Sequence, residues 1–365
     1  MRFLHHCLLL GFSSLALGFT LPKQPTPGTL PATALLPYGR TVLHGQQLEL
    51  ISSASHVGFS FEGKECQIFA SLPPGQDHNY LQYELDGVYQ KRLKVMSTGQ
   101  APLVITAPQA GKHTIWLYKA TEAHTGAIAL QKVVASRVKA LPNPKAPLIE
   151  FIGNSITCGA AADPSEVPCG SGQYHDQHNA YQAYGPRVAR ALHTNFVLSS
   201  VSGIGIYRNW NSAGPTMPQV YEKLDFQENG TQRWNFATYS PRVVSIALGT
   251  NDLSNGDGKT ERLPFDSTRY VNTYLGFIKL VKSKYPQARI ALLSSPMSSG
   301  KNRLLLNRCL TAVQQQTNAD FPTDKPVAVY FFQPMQARGC SGHPNVEDHA
   351  ILAKELTPFF QKLLQ

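Results

Sequence analysis

The run Phe151-Ile-Gly-Asn-Ser-Ile-Thr-Cys-Gly159 decides the fold. An apolar stretch from Leu148 to Ile152 stops at a glycine, and a serine stands just past it. An open α/β sheet presents its chemistry at such places, outside the carboxyl ends of its strands. A hydroxyl there can act as a nucleophile if the chain supplies a base and an oxyanion site elsewhere. Two later segments are able to do so: Leu248-Gly-Thr-Asn-Asp252, and Gly342-His-Pro-Asn345 near the C-terminus.

Outward from that run, strand and helix patterns alternate. Strands are expected at Leu148–Ile152, Phe196–Val201, Val243–Leu248, Ile290–Ser294 and Val327–Phe332, and helices at Ala180–Leu192, Thr268–Lys284, Arg303–Thr317 and Val346–Leu364. Alternation of this kind predicts a parallel sheet covered by helices on both faces, an α/β domain over 148–365. Tyr270, Val271, Tyr274, Leu275, Ile278 and Val281 make a core-facing stripe on one of those helices. Upstream, residues 38–141 read differently. About eight short strands lie there with no helix of any length, which predicts an all-β sandwich of jelly-roll type. They include Val57–Phe61, Gln67–Leu72, Leu103–Thr106 and His113–Tyr118, with turns expected at Glu62-Gly63, Asp86-Gly87 and Ala110-Gly111. Pro142-Asn-Pro-Lys-Ala-Pro147 reads as a stiff linker between the two domains.

The 365-residue length suits two domains, and no run reaches the ~20 apolar residues of a membrane span. Residues 1–18 read as a secretory signal: Arg2, an apolar stretch from Leu8, and Ala16-Leu17-Gly18 as a cleavage site. A Pro-rich linker, 19–37, follows. The expected location is therefore secreted or periplasmic, where disulfides persist. Without Cys7, five cysteines remain, and the pairing expected is Cys158–Cys169 and Cys309–Cys340, with Cys66 a buried strand thiol. No spacing is a zinc signature, so no metal is expected. The net charge of +10 comes from scattered residues with no basic run, which argues for solubility and against a nucleic-acid partner. The oligomeric state is not readable.

Ser155 is the expected nucleophile; a helix N-cap is the alternative role for a serine so placed. His343, held extended by Pro344, is the expected base. The Asn251 amide, just past a strongly apolar strand, can donate to an oxyanion, although Thr-Asn-Asp is also ordinary turn chemistry. Asp252 serves to orient a loop or cap a helix. Gly203 lets a backbone N–H approach a substrate oxygen closely. Tyr207 and Trp210, with Tyr174, His175 and His178 after the nucleophile, offer rings suited to sugar faces, or to packing alone.

With Ser155, Gly203, Asn251 and His343 in this order, the chain resembles the SGNH (GDSL-like) hydrolases, whose four blocks contribute Ser, Gly, Asn and His. Gly153-Asn-Ser155 stands where that superfamily has Gly-Asp-Ser. Phe151–Gly159, Ser202-Gly-Ile-Gly205, Gly249-Thr-Asn-Asp252 and Cys340-Ser-Gly-His-Pro-Asn-Val-Glu-Asp-His349 look most like carbohydrate esterase family 2, as does the sandwich ahead of the hydrolase domain. The resemblance implies a three-layer sheet of flavodoxin-like type and a serine esterase without cofactor. It implies removal of O-acetyl groups from plant-type polysaccharide such as xylan or glucomannan. Its oxyanion hole would comprise Ser155, Gly203 and Asn251. The position three before His343, acidic in most of the superfamily, is Cys340. The expectation is a Ser-His dyad with a backbone carbonyl behind the imidazole, in place of a carboxylate such as Glu347 or Asp348. Two other readings stand beside it: a lipid or peptidoglycan O-acyl esterase, and a carbohydrate-binding protein without turnover.

Overall fold

A computed structural model describes residues 27–98 and 101–365, so the expected signal at 1–18 and the start of the expected linker lie outside the described residues. Strands β1 (Pro27–Pro31), β2 (Thr41–His44), β3 (Gln47–Leu50), β4 (His56–Ser71), β5 (His78–Leu85), β6 (Val88–Met96), β7 (Leu103–Lys119) and β8 (Ile128–Ala140) form one antiparallel sheet. It runs in the order β2-β3-β8-β4-β7-β5-β6, with β1 on β8. Part of the segment read as linker is therefore strand, since Pro27–Pro31 pairs with Lys132–Ser136. The pairs expected as separate strands are each continuous: Val57–Phe61 with Gln67–Leu72 in β4, and Leu103–Thr106 with His113–Tyr118 in β7. Glu62-Gly63 and Ala110-Gly111 are not turns. Gly63 sits opposite Gly111, and the register shifts between Gly63 and Glu65. A bulge uses the same residue types as a turn but bends the strand pair instead of reversing it. The bent strands enclose a core that includes Phe59, Phe61, Cys66, Ile68, Leu81, Ile115 and Leu130.

The second domain has five parallel strands: β9 (Leu148–Gly153), β10 (Asn195–Ser200), β11 (Val243–Ala247), β12 (Arg289–Leu293) and β13 (Ala328–Tyr330). Their order is β10-β9-β11-β12-β13, the doubly wound flavodoxin-like order. The helices are α1 (Ser155–Cys158), α2 (Tyr184–Ala191), α3 (Met217–Val220), α4 (Thr250–Leu253), α5 (Ser267–Lys284), α6 (Gly300–Asp320) and α7 (Val346–Leu364). Alternate residues of β9 go to opposite faces, as strand geometry requires. Ile149 and Phe151 pack with Val188, Leu356 and Phe360 of α2 and α7, while Ile152 joins Tyr274, Phe277 and Leu310 of α5 and α6. Both faces are covered, so every residue of β9 is buried.

Between those apolar neighbours stands Glu150. It accepts from Ser199 Oγ at 2.6 Å and from the Tyr221 hydroxyl at 3.0 Å. Its counter-charge, Arg40, comes from the first domain and is fully buried in a cage that includes Phe226 at 3.9 Å and Tyr221 at 5.3 Å. Near the opposite end of the contact, Gln82 Nε2 donates to Asn179 at 2.8 Å and the Tyr181 hydroxyl to Glu84 at 2.5 Å. The first domain thus braces the 174–182 segment that follows Ser155.

Candidate active site

The strand β9 ends at Gly153, and the chain turns at once into α1. The cap is Asn154, whose side chain accepts from the Ile156 N–H at 3.1 Å. Ser155 is therefore free of the capping role that was its alternative, and becomes the first helical residue. It is mostly buried and lines a cavity of about 610 Å³ at the carboxyl ends of the strands. Gly203, Asn251 and His343 line the same cavity, with Trp210 and Tyr174 around it.

Past β10 the chain takes φ +76° at Gly203, a left-handed value that a side chain would strain. The Trp210 N–H donates to the Gly203 carbonyl at 2.8 Å and closes the loop. Asp252 holds its middle by accepting the N–H groups of Ile206, Tyr207 and Arg208, at 3.0, 2.9 and 3.3 Å, the loop-orienting role expected of it. Beyond β11, Gly249 adopts φ +129°, and a Cβ there would stand 2.6 Å from the Tyr270 hydroxyl. That tight passage starts α4, and the Asn251 amide donates to Ile204 O at 2.7 Å. One amide hydrogen is thereby fixed, which orients the other. Arg262 Nη2 donates to Asn251 O at 3.0 Å and Arg208 Nε to Asp252 O at 2.6 Å. Neither arginine carries any sequence signal for this role.

His343 follows a short turn, Cys340–Gly342, in which Ser341 takes the left-handed φ of +52°. That conformation brings the Ser341 carbonyl to 3.1 Å from His343 Nδ1. A proton on Nδ1 is held there, so Nε2 keeps its lone pair. Among the described residues no carboxylate takes this position: Asp348 accepts from Arg338 Nε at 2.7 Å and from the Asn345 N–H at 3.1 Å, capping α7. Burial lowers the His343 pKa below the usual histidine value, the Ser341 carbonyl opposes that shift, and the nearby His178 adds to it.

Two expectations are corrected. The disulfide joins Cys169 to Cys340, and Cys158 and Cys309 are free and buried, as is Cys66. Cys158 faces inward from α1, with Sγ 3.2 Å from Ser200 Oγ, and Cys309 belongs to the core side of α6. The loop carrying Cys169 instead crosses to the histidine turn, so the position where the superfamily carries its acid holds a covalent tie. Tyr207 does not line the cavity. Its hydroxyl accepts from the Asp266 N–H at 3.0 Å, and its ring packs on Phe265.

A further residue that sequence reading missed comes from the first domain. Glu122, in the turn after β7, is buried; its Oε2 accepts from the Ser202 N–H at 2.6 Å. His178 and not the cavity is its other partner: Oε1 lies 3.4 Å from His178 Nε2, while Nδ1 accepts the Ala161 N–H. Among the described residues, one group has metal-ligand chemistry: His78, His175 and Asp176, with donor atoms within 4.8 Å of one another. Hydrogen bonds already engage it. His78 Nε2 lies 2.5 Å from Asp176 Oδ1, Asp176 Oδ2 takes the Gln173 N–H at 2.7 Å, and His175 Nε2 faces His78 O at 3.2 Å. This set pins the 173–177 turn to β5.

Comparison with known proteins matches both halves. The carbohydrate esterase 2 N-terminal family covers residues 38–144, and the GDSL-like Lipase/Acylhydrolase family covers 151–347. The cellulase/esterase CelE of Acetivibrio thermocellus is 30% identical over 84% of this chain, which spans only 36% of that protein's length. An acetylxylan esterase / glucomannan deacetylase of Cellvibrio japonicus is 25% identical, over 82% of this chain and 80% of its own. Among solved structures, a family two carbohydrate esterase from Clostridium thermocellum, in complex with cellohexaose, superposes with a TM-score of 0.77. It is 28% identical, with 92% of this chain and 99% of that one covered.

Proposed function

The chain belongs to the GDSL-like lipase/acylhydrolase family, with the domain layout of the family 2 carbohydrate esterases, and from that premise we propose that it removes O-acetyl groups from polysaccharide. The observation that carries the proposal is the meeting of Ser155, Gly203, Asn251 and His343 around one cavity of about 610 Å³. That volume is within the usual range for small-molecule sites. Xylan and glucomannan, or their oligosaccharides, are the substrates the Cellvibrio relative suggests. The protein acts outside the cell, after loss of residues 1–18, with the hydrolase domain at 148–365 and a β domain of jelly-roll type that takes in the strand at Pro27–Pro31 as well as 38–141. No helix among the described residues is long and apolar enough to cross a membrane.

His343 Nε2 takes the Ser155 proton as Oγ attacks the ester carbonyl. The Ser341 carbonyl holds the Nδ1 proton, keeping the tautomer fixed, and gives the imidazolium a dipole where a triad has a carboxylate. The oxyanion is met by the Ser155 and Gly203 N–H groups and the free Asn251 amide hydrogen. His343 returns its proton to the leaving sugar hydroxyl. Water then releases acetate by the same route.

Ser155→Ala is expected to fold and to lose turnover of a chromogenic acetate ester; retained turnover removes Ser155 from the scheme. NMR of acetylated xylan and glucomannan before and after treatment reads substrate and position together. An octanoate ester cleaved as fast as acetate would favour a lipid esterase, and glycan binding with zero hydrolysis a binding protein.

A further inference from the structure

We propose that Glu122, contributed by the first domain, is a positioning residue for the oxyanion site of the second; the assignment rests on the esterase reading above. Ser202 immediately precedes Gly203, whose N–H is an oxyanion donor, and the Ser202 N–H is held by Glu122 Oε2 at 2.6 Å. The same oxygen lies 3.6 Å from Cys158 Sγ, on the helix that Ser155 opens. One buried carboxylate therefore touches both segments that carry backbone oxyanion donors. It is itself oriented, because Oε1 faces His178 Nε2, whose tautomer is set by the Ala161 N–H on Nδ1. The backbone of Glu122 is fixed as well: Lys119 Nζ donates to its carbonyl at 2.6 Å and to Thr121 Oγ1 at 2.9 Å.

The charge state suits the task. Burial alone would raise the Glu122 pKa, but the His178 partner and the Ser202 N–H outweigh it and hold the carboxyl down to about 2. An ionised acceptor makes a shorter and stronger bond to an N–H than a neutral one. It fixes the peptide plane ahead of Gly203 before substrate arrives, and preorganised donors are what stabilise a developing oxyanion. Glu122 touches neither substrate nor reacting atom, and does not line the cavity.

The test compares wild-type enzyme with Glu122→Gln and Glu122→Ala on a chromogenic aryl acetate. Gln keeps an oxygen for the Ser202 N–H, whereas Ala keeps none. The expected order of kcat is wild type, Gln, Ala, with losses of about tenfold and about a hundredfold, at or below the cost of deleting a donor outright. KM should stay within about twofold, because the interaction matters in the transition state. Phenylboronic acid supplies a second readout. Ser155 Oγ bonds to boron, its proton passes to His343, and a boronate oxygen occupies the oxyanion site. Its inhibition constant should weaken in step with kcat. A loss of packing alone would lower the melting temperature without that correlation. His178→Gln, which leaves the carboxylate in place but unoriented, decides the matter if the Glu122 variants fail to fold: kcat should drop with KM unchanged. Wild-type turnover together with unchanged kcat in the folded variants overturns the assignment alone. Wild-type protein with no esterase activity overturns the esterase reading and the assignment with it.

Discussion

In the proposed esterase, Ser155 and His343 depend on what surrounds them. The imidazole leans on a carbonyl, a weaker partner for imidazolium than a carboxylate, so its basicity depends on burial and on the Ser341 turn. The base must be neutral, and its pKa is lowered from the ordinary histidine value near 6.5. Protonation removes activity, so kcat/KM should rise with pH through a single value below 6.5 and stay level above it. A limb centred above 6.5 would show that burial does not control His343. Asn251→Ala should cost about 10²–10³ in kcat on aryl acetate, the usual loss for one oxyanion donor. Trp210, more than a third exposed beside the cavity, should act on the sugar instead: Trp210→Ala should raise KM for acetylated oligosaccharide more than for aryl acetate. That Ser155, Asn251 and His343 come to one cavity was legible because each lies in a short motif just past an apolar strand or in a turn before a helix. Tyr207 misled because its ring is claimed by Phe265 and Asp266, which no local pattern connects to it. Glu122 was invisible for the same reason, since the N–H it holds is 80 residues away.

At the scale of elements, parallel strands and their helices were readable to within a few residues, because strands buried on both faces are almost uniformly apolar. The alternation was less decisive in the first domain. There Gly63 and Gly111 sit across from each other as a bend, where the sequence reads two turns. The cysteine pairing failed because helix α1 aims Cys158 inward, a fact set by the phase of a four-residue helix and not by spacing. The bond that does form ties the loop after Ser155 to the His343 turn over 171 residues of sequence. Replacing Cys169 and Cys340 with serine should lower stability by about 2–4 kcal/mol. It should also lower kcat, because the Ser341 carbonyl loses its anchor. Full activity of the double variant, or of protein treated with reductant, would show that the turn stands unaided.

The molecule as a whole is held by charges that cross between its halves. Arg40 donates to the Lys223 carbonyl and, at 3.4 Å, to Ser199 Oγ, and leaving such buried acceptors unpaired typically costs about 1–3 kcal/mol. Arg40→Met should therefore destabilise the protein by about 1–3 kcal/mol, measured by urea unfolding, with little effect on the kcat of the surviving folded enzyme. Acid acts through histidines instead. Burial holds His56 at about 4 and His349 at about 3, both below the unfolded value of 6.5. For such depressed values the unfolded chain binds more protons below pH 6.5, so stability is full above that pH and falls as pH drops toward 4. A stability flat between pH 7 and 4 would contradict this. The cage around Arg40 carries one last implication, for how such a gene can change. A recombinant that kept the α/β half and exchanged its upstream neighbour for an unrelated module would strand Glu150 without a counter-ion. The proline-rich joint at 142–147 looks like a seam, yet it is no place to cut, and the two halves should be inherited and engineered only as a pair.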